Sequence, residues 1–300
     1  WQDKRNNVVF MQTFITGLDI GSKYIKAAVG EVRKDGTIKL FELFKAPSAG
    51  IRKGTVDDIG DAAQTLSPVL AQIKKNWKGA VQNIFLAVGS SDLKVQQSIG
   101  VVAVSRADYE IFADDVNRVI QSAQAINMPP NRLILHSIVR EYVVDGMKDI
   151  RDPVGMVGNR LEVNSLIIDS FAPAVKNLGK CVEMLGGGLA GLILGPLADS
   201  RAVLTKNQKE LGVLLLNIGF GKTSFCVYEE GKLVHAAVIP VGSGNITNDL
   251  AIGLKVPIEA AETVKLSFGS ALAREVSARD TVELARVDPR SKSVVSKKFI

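Results

Sequence analysis

Thr16-Gly17-Leu18-Asp19-Ile20-Gly21-Ser22-Lys23 leads into Tyr24-Ile25-Lys26-Ala27-Ala28-Val29, then a turn at Lys34-Asp35-Gly36 and another apolar stretch. Far along the chain the pattern returns. Leu215-Leu216-Asn217-Ile218-Gly219-Phe220-Gly221-Lys222 leads into Thr223-Ser224-Phe225-Cys226-Val227, then a turn at Glu229-Glu230-Gly231. Each copy reads as a strand, a glycine-bearing tight turn, a returning strand and a second hairpin. An echo over this distance predicts a duplicated domain, with one copy of the turn in each of two lobes.

Working outward, helical stripes fill the intervals. Ile59, Ala63, Leu66, Leu70, Ile73 and Trp77 step by four and three, with Pro68 predicting a kink or a helix start near Ser67. Ser105 is the expected cap of a second helix, in which Phe112, Val116, Val119, Ala123 and Ile126 share a face up to Pro129-Pro130. Val175, Leu178, Val182 and Leu185 mark a third helix, closed by Gly186-Gly187-Gly188, and Pro257 opens a fourth. Strands alternating with helices predict an α/β protein. The piece from about 98 to 165 breaks the flanking rhythm and reads as an inserted subdomain.

The 300 residues are 46% hydrophobic and 23% charged, enough for two cores. A diffuse net charge of +6 and only 6% aromatics leave no stacking platform for nucleic acid, so no nucleic-acid partner is expected. Cys181 and Cys226 lie in apolar stretches without metal-ligand spacing and read as buried thiols. Trp1 to Phe10 read as upstream or vector-derived sequence, with Met11 as the expected start and no secretory signal. The apolar runs Leu189–Leu194 and Val213–Leu216 are far too short to span a bilayer. His136 and His235, in apolar strands, are expected to be packed rather than catalytic.

A glycine turn lets backbone N–H groups approach phosphate oxygens closely. Asp19, one strand step earlier, can hold the water shell of Mg²⁺. Either hairpin alone could be an ordinary one. As a pair, with Asp19 and Asn217 at matching positions, they predict a clamp that grips a polyphosphate from both sides.

These turns resemble those of the actin, Hsp70 and sugar-kinase superfamily, and within it the chain resembles the FtsA family of cell-division proteins. Pro240-Val241-Gly242-Ser243-Gly244-Asn245-Ile246-Thr247-Asn248-Asp249-Leu250-Ala251-Ile252-Gly253-Leu254 is similar to a stretch diagnostic of that family. So are Pro129-Pro130-Asn131-Arg132-Leu133-Ile134-Leu135-His136, and Asp152-Pro153-Val154-Gly155-Met156 continuing to Arg160-Leu161-Glu162-Val163. The resemblance runs from about Phe14 to the last residue. It implies an actin-like, ribonuclease H-like two-lobed fold with an FtsA-type inserted subdomain. In that frame residues 11–97 with 166–205 form the first lobe, 98–165 the insertion, 206–255 the second lobe, and 256–300 the start of a further subdomain.

The same resemblance implies ATP or ADP with Mg²⁺, the metal held through water by Asp19. The implied nucleotide-binding residues are Asp19, Gly21, Ser22 and Lys23 in the first turn, and Asn217, Gly219, Gly221, Lys222 and Thr223 in the second. Gly242, Gly244 and Asn245 join them, with Glu262 and Lys265 matching a pair that contacts adenosine in relatives; an exposed intrahelical ion pair is the alternative. Implied partners are FtsZ, further copies of the protein, other divisome proteins and a membrane reached through a C-terminal helix that this sequence lacks. The implied location is the cytoplasm, peripheral at the inner face of the cell membrane at the division site. The sequence ends inside what the resemblance makes the last subdomain and reads as a truncated chain.

Several positions depart from the family pattern. Asn217 stands where an aspartate is normal, the bulky Phe220 occupies the turn's variable position, Lys222 replaces a small or hydroxyl residue, and Gly195 replaces an acidic residue that positions water. Both the metal and the nucleophile are weakened, so binding without efficient hydrolysis is expected: at most a weak ATPase, with no catalytic residue assigned. Alternative readings are a PilM-like scaffold of pilus assembly and a small-molecule kinase of the superfamily, the latter disfavoured by Asn217 and Gly195.

Overall fold

The computed structural model describes residues 13–277, 279–291 and 293–300; Trp1–Phe10 and the expected start at Met11 lie outside the described residues. Strand β1 (Thr13–Ile20) pairs antiparallel with β2 (Tyr24–Val32), and β2 with β3 (Ile38–Pro47). A small hairpin, β4 (Ile51–Arg52) and β5 (Thr55–Val56), precedes helix α1 (Ile59–Asn76). Strand β6 (Ile84–Val88) then lies parallel to β1. After the insertion come α3 (Ala172–Met184) and β11 (Leu189–Leu194), the latter parallel to β6. The first lobe is thus a five-stranded sheet of order β11-β6-β1-β2-β3. Its core joins Leu18, Ile25 and Leu86 of the sheet to Leu66, Leu70 and Ile73 of α1 and Leu178 and Val182 of α3. Burying each such aliphatic side chain stabilises by about 1.5–3 kcal/mol.

Helix α1 runs unbroken through Pro68, where a kink or start near Ser67 was expected. Pro68 sits on the exposed face, so its ring and missing N–H fall away from the sheet while Leu66, Val69 and Leu70 hold the helix down. The N-cap is Asp58, whose carboxylate accepts from the Asp61 N–H at 2.9 Å.

The insertion is a four-stranded antiparallel sheet of order β7-β10-β8-β9, built from β7 (Lys94–Ala103), β8 (Arg132–Val144), β9 (Met147–Ile150) and β10 (Arg160–Phe171). Its flanking strands run past the expected limits of 98 and 165. Helix α2 (Ala113–Gln124) packs on it through Val119 and Ala123. Ser105 is not its cap and Pro129-Pro130 is not its end. The helix begins after Phe112, whose N–H is taken by Asp115 at 3.0 Å, and closes at Ala125. Strand β10 continues without a linker into α3, so one segment passes from the insertion's core through the lobe junction into the first lobe's core.

At that junction Arg132 (9% exposed side chain) pairs with Asp169 (1%) and donates to the Asp92 carbonyl at 2.9 Å. His136, half-buried on the same strand, accepts the Leu194 N–H at Nε2 (2.9 Å). Burial, with the nearby Arg201, pulls the His136 pKa below its ordinary value, so the ring stays neutral as an acceptor. His235, expected to be packed, is instead exposed beside Phe225, ring centroids 6.2 Å apart.

Helices α4 (Gly195–Val203) and α5 (Lys206–Leu211) lead to the second lobe, a three-stranded sheet of β12 (Val213–Ile218), β13 (Thr223–Glu229) and β14 (Lys232–Ile239). It repeats the first hairpins closely. Gly21 N–H donates to Tyr24 O at 3.1 Å, and Gly219 N–H to Lys222 O at 2.9 Å. The register shifts at the same step, between Val29 and Gly30 after Asp19 and between Val227 and Tyr228 after Asn217. Helices α6 (Ser243–Leu254) and α7 (Ile258–Phe268), with β15 (Thr281–Glu283) and β16 (Val294–Ser296), close the chain around their own core of Leu250, Leu254, Val264 and Leu284.

Arg132→Met strands Asp169 as a buried unpaired carboxylate and is expected to cost about 3–5 kcal/mol in urea unfolding. Arg132→Met with Asp169→Leu should recover most of that loss; a double variant as unstable as the single would contradict the pairing.

Candidate functional site

The two glycine turns meet. A Cβ added at Gly221 would lie 2.6 Å from Ser22 Oγ and 3.0 Å from Ser22 Cβ, so only glycine permits this approach. Lys222 lies behind the contact and reaches across the lobes, donating from Nζ to the Gly89 carbonyl. Gly54, at φ +83°, keeps the slot clear: a Cβ there would stand 2.8 Å from that Nζ. Burial pulls the Lys222 pKa down, while the charges of Asp19 and Asp199 push it back up.

At the mouth of the cleft, Lys23 of the first turn donates to Glu262 Oε1 of α7 at 2.5 Å. The other carboxylate oxygen pairs with Lys265 Nζ at 2.7 Å and accepts the Thr247 hydroxyl at 2.5 Å. Lys265 also donates to Thr247 Oγ1 (2.7 Å) and to the Ser243 carbonyl (3.0 Å). Burial alone would raise the Glu262 carboxyl; hydrogen bonds from Lys23, Lys265 and Thr247 outweigh it and hold the pKa at about 2. Both cations lie near the Phe220 ring, Lys23 Nζ at 5.2 Å and Lys265 Nζ at 5.7 Å from its centroid.

The second turn is braced from behind. Ser243 N–H donates to Gly219 O at 2.9 Å and Gly244 N–H to Phe220 O at 2.8 Å. Gly242 N–H goes to Asn245 Oδ1 at 3.0 Å, and Thr223 Oγ1 to Val241 O at 2.7 Å. The first amides of α6 are thereby engaged with the turn. Asn217 donates from Nδ2 to Asp199 Oδ2 at 2.7 Å, and Asp19 pairs with Lys26 at 3.5 Å.

Apart from Gly21, which closes the first turn, and Asp19 and Asn217, which pair with Lys26 and Asp199, the sequence-derived residues gather in three groups. Ser22, Gly221 and Lys222 form the contact of the turns. Lys23, Glu262 and Lys265 form a cross-lobe latch, so the pair on α7 does more than bridge its own helix. Gly219, Thr223, Gly242, Gly244 and Asn245 brace the second turn. Sequence reasoning overlooked Asp199, Thr247, Gly89 and Gly54. Asp199 had a signal: it lies one helical turn after Gly195 and so faces the same cleft. Gly89 acts through its carbonyl, Gly54 through its missing side chain, and neither leaves a pattern.

A family model described as "SHS2 domain inserted in FTSA" matches residues 90–169, and one for "Cell division protein FtsA" matches 214–300. Cell division protein FtsA of Pseudomonas aeruginosa is 34% identical over 286 residues, 95% of this chain and 68% of that protein. This chain belongs to the FtsA family. The Bacillus subtilis FtsA is 35% identical over 275 residues, covering 92% of this chain and 62% of that protein. Among solved structures, the PilM-PilN type IV pilus biogenesis complex aligns with 91% of this chain and 71% of its own at TM-score 0.58 and 15% identity, a likeness of fold. The chain is thus a cell-division FtsA-family protein of actin-like fold. No helix of the described residues is long and apolar enough to cross a membrane.

Mg²⁺, implied by the FtsA-family resemblance, meets a poor donor set. Asp19 is shared with Lys26, Asn217 brings no charge and is tied to Asp199, and the Lys222 ammonium is already in the slot. Among the described residues no group of three or more His, Cys, Asp or Glu side chains could hold a metal ion. Mg²⁺ binds through one or two carboxylates plus phosphates, and a cation beside it opposes that binding.

Glu262→Gln should weaken the latch by about 2 kcal/mol at pH 7. A depressed carboxyl pKa stabilises fully above its ordinary value of 4.5, and the gain disappears as pH falls from there towards about 2. The difference between wild type and Glu262→Gln in urea midpoint should shrink over that window. A gap that stays constant with pH would refute the assignment.

Proposed function

We propose that this protein is a nucleotide-binding protomer of the division machinery, which takes ATP or ADP between its lobes and hydrolyses it weakly or not at all. The observation that carries the reading is the convergence of Lys23, Lys222 and Lys265 on two abutting glycine turns, a cationic cleft suited to a polyphosphate. Asp19, Gly21, Ser22 and Lys23 would hold the phosphates from one lobe, and Asn217, Gly219, Gly221, Lys222 and Thr223 from the other. Glu262 and Lys265 would meet the nucleoside once Lys23 releases its carboxylate. Weak turnover follows from Asn217, which brings no charge, and from Gly195, which cannot orient water.

As a member of its family the protein would self-associate, contact FtsZ and other divisome proteins, and work at the inner face of the membrane at the division site. Family membership supports this part of the reading.

Calorimetric titration with ATP and ADP, alongside phosphate release, tests the nucleotide reading. Binding with negligible release is expected; no heat with either nucleotide would defeat it. Asn217→Asp with Gly195→Glu should raise phosphate release about tenfold or more, or about 1.4 kcal/mol of barrier. Gly195 has room for the change, since a Cβ there meets only Val88 O at 3.7 Å. An unchanged rate in the double variant would show that these positions do not limit hydrolysis.

A further inference from the structure

We propose that Lys222 is the built-in cation of the clamp, standing in for a divalent metal, so that the site takes a nucleotide polyphosphate without Mg²⁺. The inference rests on the nucleotide reading above and specifies its cofactor requirement.

The placement is constructed. Lys222 leaves the second turn and crosses to the first lobe, where Nζ donates to the Gly89 carbonyl, a hydrogen bond between segments 133 residues apart. Gly54 leaves the slot open for that ammonium, as a Cβ there would meet Nζ at 2.8 Å and the Gly89 carbonyl at 2.4 Å. A charge taken out of water needs compensation, and the carboxylates of Asp19 and Asp199, both from the first lobe, supply part of it. That is the task a metal performs in a phosphate clamp: one positive centre carried by one lobe beside acidic side chains of the other, offered to phosphate oxygens.

The surrounding residues fit an ammonium better than a divalent ion. Asn217 offers a metal at most a neutral amide oxygen, and its Nδ2 occupies one oxygen of Asp199 at 2.7 Å, so one charged ligand is missing and another is shared. Asp19 divides its charge between Lys222 and Lys26, which sits at 3.5 Å. An ammonium also demands no octahedral shell, whereas Mg²⁺ requires one and gives up its waters reluctantly. Lys23 and Lys265 share the Glu262 carboxylate near the Phe220 ring, which leaves one net positive charge there. A polyphosphate entering there meets Lys222 and, in exchange with the Glu262 carboxylate, Lys23 and Lys265.

The test measures binding of a fluorescent ADP analogue to wild type, Lys222→Met and Lys222→Ser, in EDTA and in Mg²⁺. Mn²⁺ uptake is followed by electron paramagnetic resonance with and without ADP. Wild type should bind the analogue equally, within about twofold, in both buffers and should take up no Mn²⁺. Either folded variant should lose about tenfold or more in EDTA, regain it with Mg²⁺, and take up Mn²⁺ at the vacated carboxylates. A wild type that loses about tenfold in EDTA overturns the proposal, as do variants that bind no more Mn²⁺ than wild type. If wild type binds no nucleotide in either buffer, the nucleotide reading fails, and the nucleotide-free Mn²⁺ comparison still decides whether Lys222 holds the cation position. Should neither variant fold, the wild-type comparison between EDTA and Mg²⁺ decides alone.

Discussion

A single ammonium reaching from one lobe to a backbone carbonyl of the other organises this molecule. Lys222 can make that reach only because Gly221 lets the second turn sit against Ser22 and because Gly54 withholds a side chain from the slot. Those turns in turn have fixed places because each is the first bend of a three-stranded antiparallel unit, repeated with the same closing hydrogen bond and the same register shift. The latch of Lys23, Glu262 and Lys265 then closes the outer edge of the same cleft.

Apolar and polar contacts are divided between the base of the cleft and its mouth. At the base, Leu166 and Ile168 of β10, Leu194 of β11 and Cys226, Tyr228 and Leu233 of the second sheet form one buried cluster. Such a contact is costly to separate and tolerates small rotations, as a hinge does. At the mouth the interactions are ion pairs and hydrogen bonds, which exchange with water or an incoming anion at little net cost. The first lobe and the α6–α7 region keep separate cores, so loosening the mouth leaves both folded.

Much of this was legible in the residues. The long-range echo around Asp19 and Asn217 was enough for two lobes, because a glycine turn between alternating strands leaves a local pattern that distance does not blur. The departures at Asn217, Phe220 and Lys222 marked where the clamp differs. What sequence could not supply was direction. Lys222 as a phosphate partner and Lys222 as a solvated side chain are the same letter, and its burial depends on Gly54 and Gly89, which are remote in the chain. Helix limits failed where tertiary packing overrode local signals: Pro68 turned outward and did not break α1, and Asp115, not Ser105, set the start of α2. His235 looked packed because its strand is apolar, yet it lies on the strand's outward step.

The unbroken passage of β10 into α3 has a mechanical meaning. A domain hung on a flexible linker can turn freely and conveys little to its neighbour. Here the insertion is continuous with a strand clamped by Arg132 and Asp169, and that strand feeds a helix wedged against α1. Anything that tugs or tilts the insertion would apply torque to the first lobe, and so to the carbonyl that holds Lys222. The insertion is built as a lever arm, with its fulcrum at the floor of the cleft.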